Sequence, residues 1–270
     1  MKNRLSLYFF GLSLGLKSIL KLRKISLRFL EMVILPMSYW RAIETPLMLN
    51  SIEPKENELI LDLGSPKLLS FYIAKKKKAK VISSDINPYF LDYCKDFKQA
   101  LGLSNEYRLE VIDATRTKLK NNFVDKIYAL SVFEHIPGNG DSKAMREAKR
   151  ILRKGGTISL TLPYGDTYTE EYKHPKTFNY GNNKLPEKGK KVFYQRRYDE
   201  NNLRKRIIDS SGMTLVKKEY FGQIIRGPSR KVEILLGPIN LLLSKINHTG
   251  PTESLDKLKN PCGVHVVLRK

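Results

Sequence analysis

The chain has 270 residues, of which 41% are hydrophobic, 10% aromatic and 28% charged, a balance that excludes a disordered or fibrous protein. At about 150 residues per domain, that length accommodates one large α/β domain with additions or two small domains. Lys and Arg number 49 against 27 Asp and Glu, a formal charge of +22; this favours an anionic partner such as nucleic acid, a membrane surface or an acidic substrate, the compositional alternative being a general richness in Lys, Asn and Ile.

Residues 1–50 are the most one-sided block, with eight basic residues and two acids, Glu31 and Glu44. Lys17, Lys21, Lys24 and Arg28 recur at i, i+4, i+7 and i+11, which on a single helix forms one narrow stripe. Leucines and isoleucines such as Leu12, Leu16, Leu20, Leu27 and Leu30 cover the remaining circumference until Pro36 ends the helix. The pattern predicts a basic helical extension whose residues 11–35 either lie in an anionic membrane interface or pack on the chain's own core. Residues 5–16, preceded by Lys2 and Arg4, imitate the apolar centre of a signal peptide, but no small-residue cleavage site follows. No apolar run reaches the roughly 18 residues needed to span a bilayer. Cys94 and Cys262 show neither CxxC spacing nor clustering with His, so no disulfide framework and no zinc site is expected. The expected setting is cytoplasmic, with peripheral attachment to the inner face of a membrane as its variant.

Residues 58–164 alternate strand and helix patterns. Strands are predicted at 59–63, 79–86, 108–114, 124–132 and 157–162, with helices at 88–101 and about 142–152. Ser65-Pro66 reads as a helix start, Ser as N-cap and Pro at the first helical position. This order is that of a parallel sheet covered on both faces. A polar stretch over about 165–198 is too long for an idle loop. Asp199 caps a further helix that Gly212 stops, and 213–221 and 263–270 read as two closing strands around an insert at about 222–260. The expected whole is a Rossmann-like, doubly wound, mostly parallel seven-stranded α/β sheet, residues 51–270, behind the 1–50 extension.

In an open parallel sheet, ligands bind beyond the carboxyl ends of the strands. Asp62, Asp85 and Asp113 stand at three of those ends, and desolvating three carboxylates together is costly unless a ligand satisfies them. Asp85, 23 positions after Asp62, has the place of an acid that takes the hydroxyls of a ribose. The turn between them, Gly64-Ser-Pro-Lys-Leu-Leu69, holds only the first glycine of G-x-G-x-x-G, and Pro66 lacks an N–H donor. A nucleoside without phosphate fits such a turn better than a dinucleotide does, which disfavours a nucleotide-dependent oxidoreductase.

These residues resemble the class I S-adenosylmethionine-dependent methyltransferases. Leu61-Asp-Leu-Gly64 is similar to the first cofactor motif, Ser84-Asp-Ile86 to the second, and Asp113-Ala114 to the segment contacting adenine. Residues 123–136, ending in Ser131-Val-Phe-Glu-His-Ile136, resemble the fourth-strand signature of the small-molecule and lipid-modifying branch, and Leu152-Arg-Lys-Gly-Gly156 the turn before the fifth strand. The resemblance implies S-adenosyl-L-methionine as cofactor, held by Asp62, Gly64, Asp85, Ile86, Asp113, Ala114 and Ser131, with no metal. It implies methyl transfer to a small-molecule or lipid-linked acceptor; an RNA or DNA methyltransferase and a non-catalytic interaction protein of the same fold are the alternatives. The chain departs from the family in the two glycines replaced around Ser65-Pro66-Lys67, so other donors must meet the cofactor's carboxylate. For catalysis the sequence offers only Glu134 and His135 after the fourth strand, His174 in the polar insert, and Tyr164.

Overall fold

The computed structural model describes residues 3–174, 191–225 and 227–270. Three helices, α1 (Arg4–Leu22), α2 (Leu27–Ile34) and α3 (Arg41–Ile52), precede the sheet. Strands β1 (Leu59–Leu63), β2 (Lys80–Asp85), β3 (Tyr107–Val111), β4 (Val124–Leu130) and β5 (Leu152–Pro163) are parallel. Helices α4 (Leu68–Lys77), α5 (Tyr89–Leu101) and α6 (Gly140–Ile151) connect them. A separate hairpin, β6 (Thr169–Lys173) with β7 (Val192–Arg197), follows β5; residues 175–190 of the polar insert lie outside the described residues. After α7 (Glu200–Leu203), which Asp199 caps by accepting from the Asn202 N–H, come β8 (Thr214–Gln223), α8 (Arg230–Leu236), α9 (Ile239–Asn247), β9 (His248–Thr252) and β10 (Pro261–Arg269).

The sheet order is β3-β2-β1-β4-β5-β10-β8-β9, with β10, β8 and β9 joined antiparallel. Eight strands therefore replace the seven expected. The addition, β9, comes from within the 222–260 insert, where Thr249-Gly-Pro-Thr252 reads locally as a turn. Pro251 cannot donate to a ladder, and the sheet edge is the place where that costs nothing. Strand order reverses at β1 and β4, which opens the ligand crevice beyond their carboxyl ends.

The N-terminal helices share the main core. Leu7, Leu14, Phe29 and Met48 join one buried cluster with Phe71, Phe97 and Tyr107, while Met145, Ala148 and Ile151 of α6 pack on the opposite face. The single helix expected to run to Pro36 is instead two. Arg23 adopts φ 48°, and Ser26 restarts the chain by accepting from the Phe29 N–H. Gly15 lets the two helices close as a hairpin, since a Cβ there would lie 2.7 Å from the Val33 side chain. The break also dismantles the basic stripe. Lys24 turns to Asp96 at 3.1 Å, and Arg28 donates to the Tyr89 hydroxyl at 2.7 Å and covers the Tyr93 ring. By length and composition α1 is long and apolar enough to cross a membrane, contrary to the run-length reading, because Lys17 interrupts its apolar sequence without lowering its mean hydropathy below 1.4.

Candidate active site

The turn after β1 is built by side chains where glycines would leave space. Gly64 has φ 65°, and a Cβ on it would meet Val132 at 2.8 Å. Ser65 does not cap α4, which begins at Leu68; its hydroxyl accepts from the Leu130 N–H at 2.8 Å and so ties the turn to β4. Lys67 is buried, its Nζ donating to the Ser84 carbonyl at 2.6 Å and to Asp62 at 3.2 Å. Asp62 is fully buried and also accepts from the Ser83 hydroxyl at 2.9 Å and the Ser65 N–H at 3.2 Å. Its oxygens are thus taken up by the turn itself. Asp62 lies one layer beneath the crevice rather than in its wall, so its geometry is that of a turn support.

The other six residues named from sequence surround one cavity of about 330 Å³: Gly64, Asp85, Ile86, Asp113, Ala114 and Ser131. Asp85 accepts from the Asn87 N–H at 2.9 Å, and burial pushes its carboxyl above the usual range. Ile86 is 67% exposed, with its side chain on the cavity that Ile112 and Ile136 also line. Asp113 is exposed and engaged by the Thr115 N–H and hydroxyl at 2.8 and 2.7 Å. A cavity with apolar walls and a partly desolvated carboxylate at the end of β2 matches a nucleoside, whose hydroxyls donate to that carboxylate. Ser131 carries φ 51°, a left-handed conformation rare outside glycine and concentrated at ligand sites.

A second cavity, of about 380 Å³, shares Ser131 and His135 with the first. Trp40, Arg41 and Glu44 line it from the start of α3, and Tyr194 and Arg197 from the β7 hairpin. That hairpin is fixed by Asp141, fully buried, which pairs with Arg196 at 2.7 Å and Arg206 at 2.8 Å and accepts from Tyr198 at 2.9 Å. His135 Nδ1 meets the Tyr194 carbonyl at 2.7 Å, so this nitrogen is assigned the proton and Nε2 is left basic. Burial pulls the His135 pKa down. Glu134 lies 3.8 Å from Nε2; burial, with Glu44 nearby, pushes its carboxyl up to about 8, and its Oε2 has no hydrogen-bond partner among the described residues. Glu44 is held by Arg41 at 2.6 Å and by the Ser131 hydroxyl at 2.5 Å.

Of the four catalytic candidates, His135 and its neighbour Glu134 line this second cavity, and His135 alone of the four lines both. Tyr164 is 3% exposed and packs against Tyr220 behind the end of β5, away from both cavities. His174 follows β6 at the exposed edge of the hairpin and lines neither cavity. Arg41 and Glu44 escaped the sequence reading. Their signal was an i,i+3 charge pair on an otherwise apolar helix, visible only once that helix is known to reach the crevice.

Residues 61–160 match a family model described as "Methyltransferase domain". Similar solved structures include a SAM-dependent methyltransferase from Methanosarcina mazei (14% identity, 83% of this chain and 97% of that one, TM-score 0.55). Coclaurine N-methyltransferase, bound to N-methylheliamine and SAH, aligns at 14% identity over 84% of this chain and 71% of that one, TM-score 0.54. By that match residues 61–160 carry a methyltransferase domain, in a fold shared with these S-adenosylmethionine-dependent methyltransferases. The fold is also that of the [4+2]-cyclase SpnF (14% identity, 84% and 79% covered, TM-score 0.57).

The residues present fit the methyltransferase cofactor: the Gly64 cradle, the Asp85 acceptor and the apolar adenosine-sized cavity are complementary to its nucleoside. Asp85→Ala should weaken S-adenosylmethionine binding by about 1–3 kcal/mol, the scale for a hydrogen-bonded charged acceptor. Calorimetry checks this, and unchanged affinity in a folded variant would remove Asp85 from the ribose site.

Proposed function

We propose that this methyltransferase modifies a small-molecule or lipid-linked acceptor seated in the cavity between α3 and the β7 hairpin. The observation that carries the reading is that this cavity and the cofactor cavity share Ser131 and His135. Bound S-adenosylmethionine supplies a methyl group on a sulfonium, an activated leaving group. The protein then has two tasks, to align the acceptor and to manage its proton. Aromatic walls at Trp40 and Tyr194 orient an acceptor, and Arg197 offers it a positive charge. His135 Nε2 accepts the proton that an oxygen or nitrogen acceptor releases. The similar coclaurine N-methyltransferase, by its name and its bound N-methylheliamine, acts on a small nitrogen compound.

Arg41 replaces the donors that the substituted turn has lost. It lines the recess beside Gly64, Ser65 and Lys67 as well as the acceptor cavity, and its Nη1 donates to the Leu130 carbonyl at 3.2 Å. Its guanidinium would hold the methionine carboxylate of the cofactor. Arg41→Met should therefore lower S-adenosylmethionine affinity about tenfold or more, on the 1.5–3 kcal/mol scale of a charged hydrogen bond, while leaving adenosine affinity near wild type. An equal loss for both ligands would place Arg41 elsewhere.

Because the same fold serves a cyclase, the functional assay must follow the methyl group itself. Incubation with methyl-labelled S-adenosylmethionine and separate extracts of metabolites, lipids and nucleic acid should label the first or second. Label confined to RNA or DNA would overturn the reading, and +22 is the property that would then have been decisive.

A further inference from the structure

Two hairpins carry their apolar side chains outward. In α8 and α9 the pattern is inverted: Glu233, Asn240 and Ser244 are buried, while Leu235 is 86% exposed, Leu242 58% and Ile246 63%. Each of these buried polar residues has a partner: Glu233 accepts from the Tyr39 N–H at 3.0 Å, the Asn240 amide donates to the Gly237 carbonyl at 3.0 Å and the Ser244 hydroxyl to the Leu241 carbonyl at 3.1 Å. The inversion is therefore a consistent packing arrangement, in which the inner polar residues are hydrogen-bonded to the backbone. In α1, Leu7 and Leu14 are sealed in the core, yet on the far side Phe9 is 61% and Leu20 74% exposed. Leu27 of α2 adds another 75% exposed apolar side chain. The hairpins meet where Gly237, between α8 and α9, approaches the carbonyl of Ile34 at the end of α2.

Exposed apolar side chains clustered on two hairpins that touch mark a docking surface. Its charged margin decides the occupant. Lys17 and Lys21 border the outward face of α1, Arg23 follows it, and Lys231 and Lys245 stand exposed on α8 and α9. Outward leucines rimmed by cations suit the headgroup and acyl boundary of an anionic bilayer.

We propose that the α1–α2 and α8–α9 hairpins together seat this protein on an anionic lipid surface, with α1 lying in the interface rather than across the membrane. The buried side of α1 belongs to the protein core and cannot also face lipid. The second hairpin connects the surface to the acceptor cavity. His248, the residue after α9, lies 5.4 Å from the Trp40 ring, and Trp40 lines that cavity. Docking itself does not depend on the methyl-transfer reading.

Flotation with phosphatidylcholine vesicles, with and without phosphatidylglycerol, tests the surface. The full chain should float with the anionic vesicles only, and release as salt rises. Leu235→Ser/Leu242→Ser and, separately, Leu16→Ser/Leu20→Ser should each lower vesicle affinity on the order of tenfold or more. These side chains are solvent-exposed, so melting temperatures should stay at the wild-type value and keep lost binding distinct from lost folding. Failure of the wild type to float overturns the proposal. So does flotation untouched by both serine pairs, which would mean attachment by charge alone. Dimerisation in sedimentation experiments that disappears in the serine variants would also overturn it, making a second copy the occupant. Neither result bears on methyl-transfer activity measured in detergent-free solution, so the two readings fail separately.

Discussion

His135→Gln should lower kcat by about 10²–10⁴, the contribution expected of a positioned general base, with S-adenosylmethionine affinity close to wild type. The expectation rests on the place of the ring between the two cavities and on its Nδ1 bond to the Tyr194 carbonyl at 2.7 Å, which leaves Nε2 free to take a proton. The pH profile provides the independent readout. Burial lowers the imidazole pKa from 6.5, so wild-type kcat/KM should be flat near neutrality and fall only as pH drops through a value below 6.5. That acid limb should vanish in the variant. A variant with equal losses in kcat and cofactor affinity would assign His135 to packing, and an unchanged kcat would show that proton removal needs no protein base.

The parallel half of the fold was legible because each of its elements declares itself locally. Runs such as Leu59-Ile-Leu-Asp-Leu63 are apolar enough to be buried on both faces, and the ends of β2 and of the segment after β3 bring Asp85 and Asp113 to the crevice. The strand-end acids together with the family resemblance named seven residues, and six of them line one cavity. Asp62 stood outside the pattern for a reason local sequence cannot carry: Lys67, five residues on, folds back to neutralise it. The second cavity was illegible for a similar reason. It joins α3, the end of β4 and the β7 hairpin, segments far apart in sequence whose polar residues have no shared spacing. The 222–260 insert had no assigned packing from sequence, because its orientation depends on a tertiary contact: the structure turns leucines such as Leu235 and Leu242 outward and Glu233, Asn240 and Ser244 inward.

Glu134→Gln should make the protein more stable and the enzyme slower, and the stability gain should depend on pH in a specified direction. Glu134 is fully buried, and its carboxyl is raised from 4.5 to about 8, chiefly by desolvation. Between those two values the folded protein keeps a proton that the unfolded chain has released. Unfolding then sheds a proton, so stability falls as pH rises through the window and levels off above about 8, once both states are ionised. The slope is at most about 1.4 kcal/mol per pH unit from this group. Gln is neutral in both states and removes that slope. Wild type and variant should melt together near pH 4, and the variant should gain on the order of a few kcal/mol by pH 8, several degrees in Tm for a chain of this size. Retaining a costly carboxyl is understandable beside His135, 3.8 Å away: when the imidazole takes a proton, the neighbouring carboxyl ionises more readily and offsets the new charge. Thermal melts across pH 4–9 with parallel curves for the two proteins would show that Glu134 is already ionised in the folded state, and this coupling would have no basis.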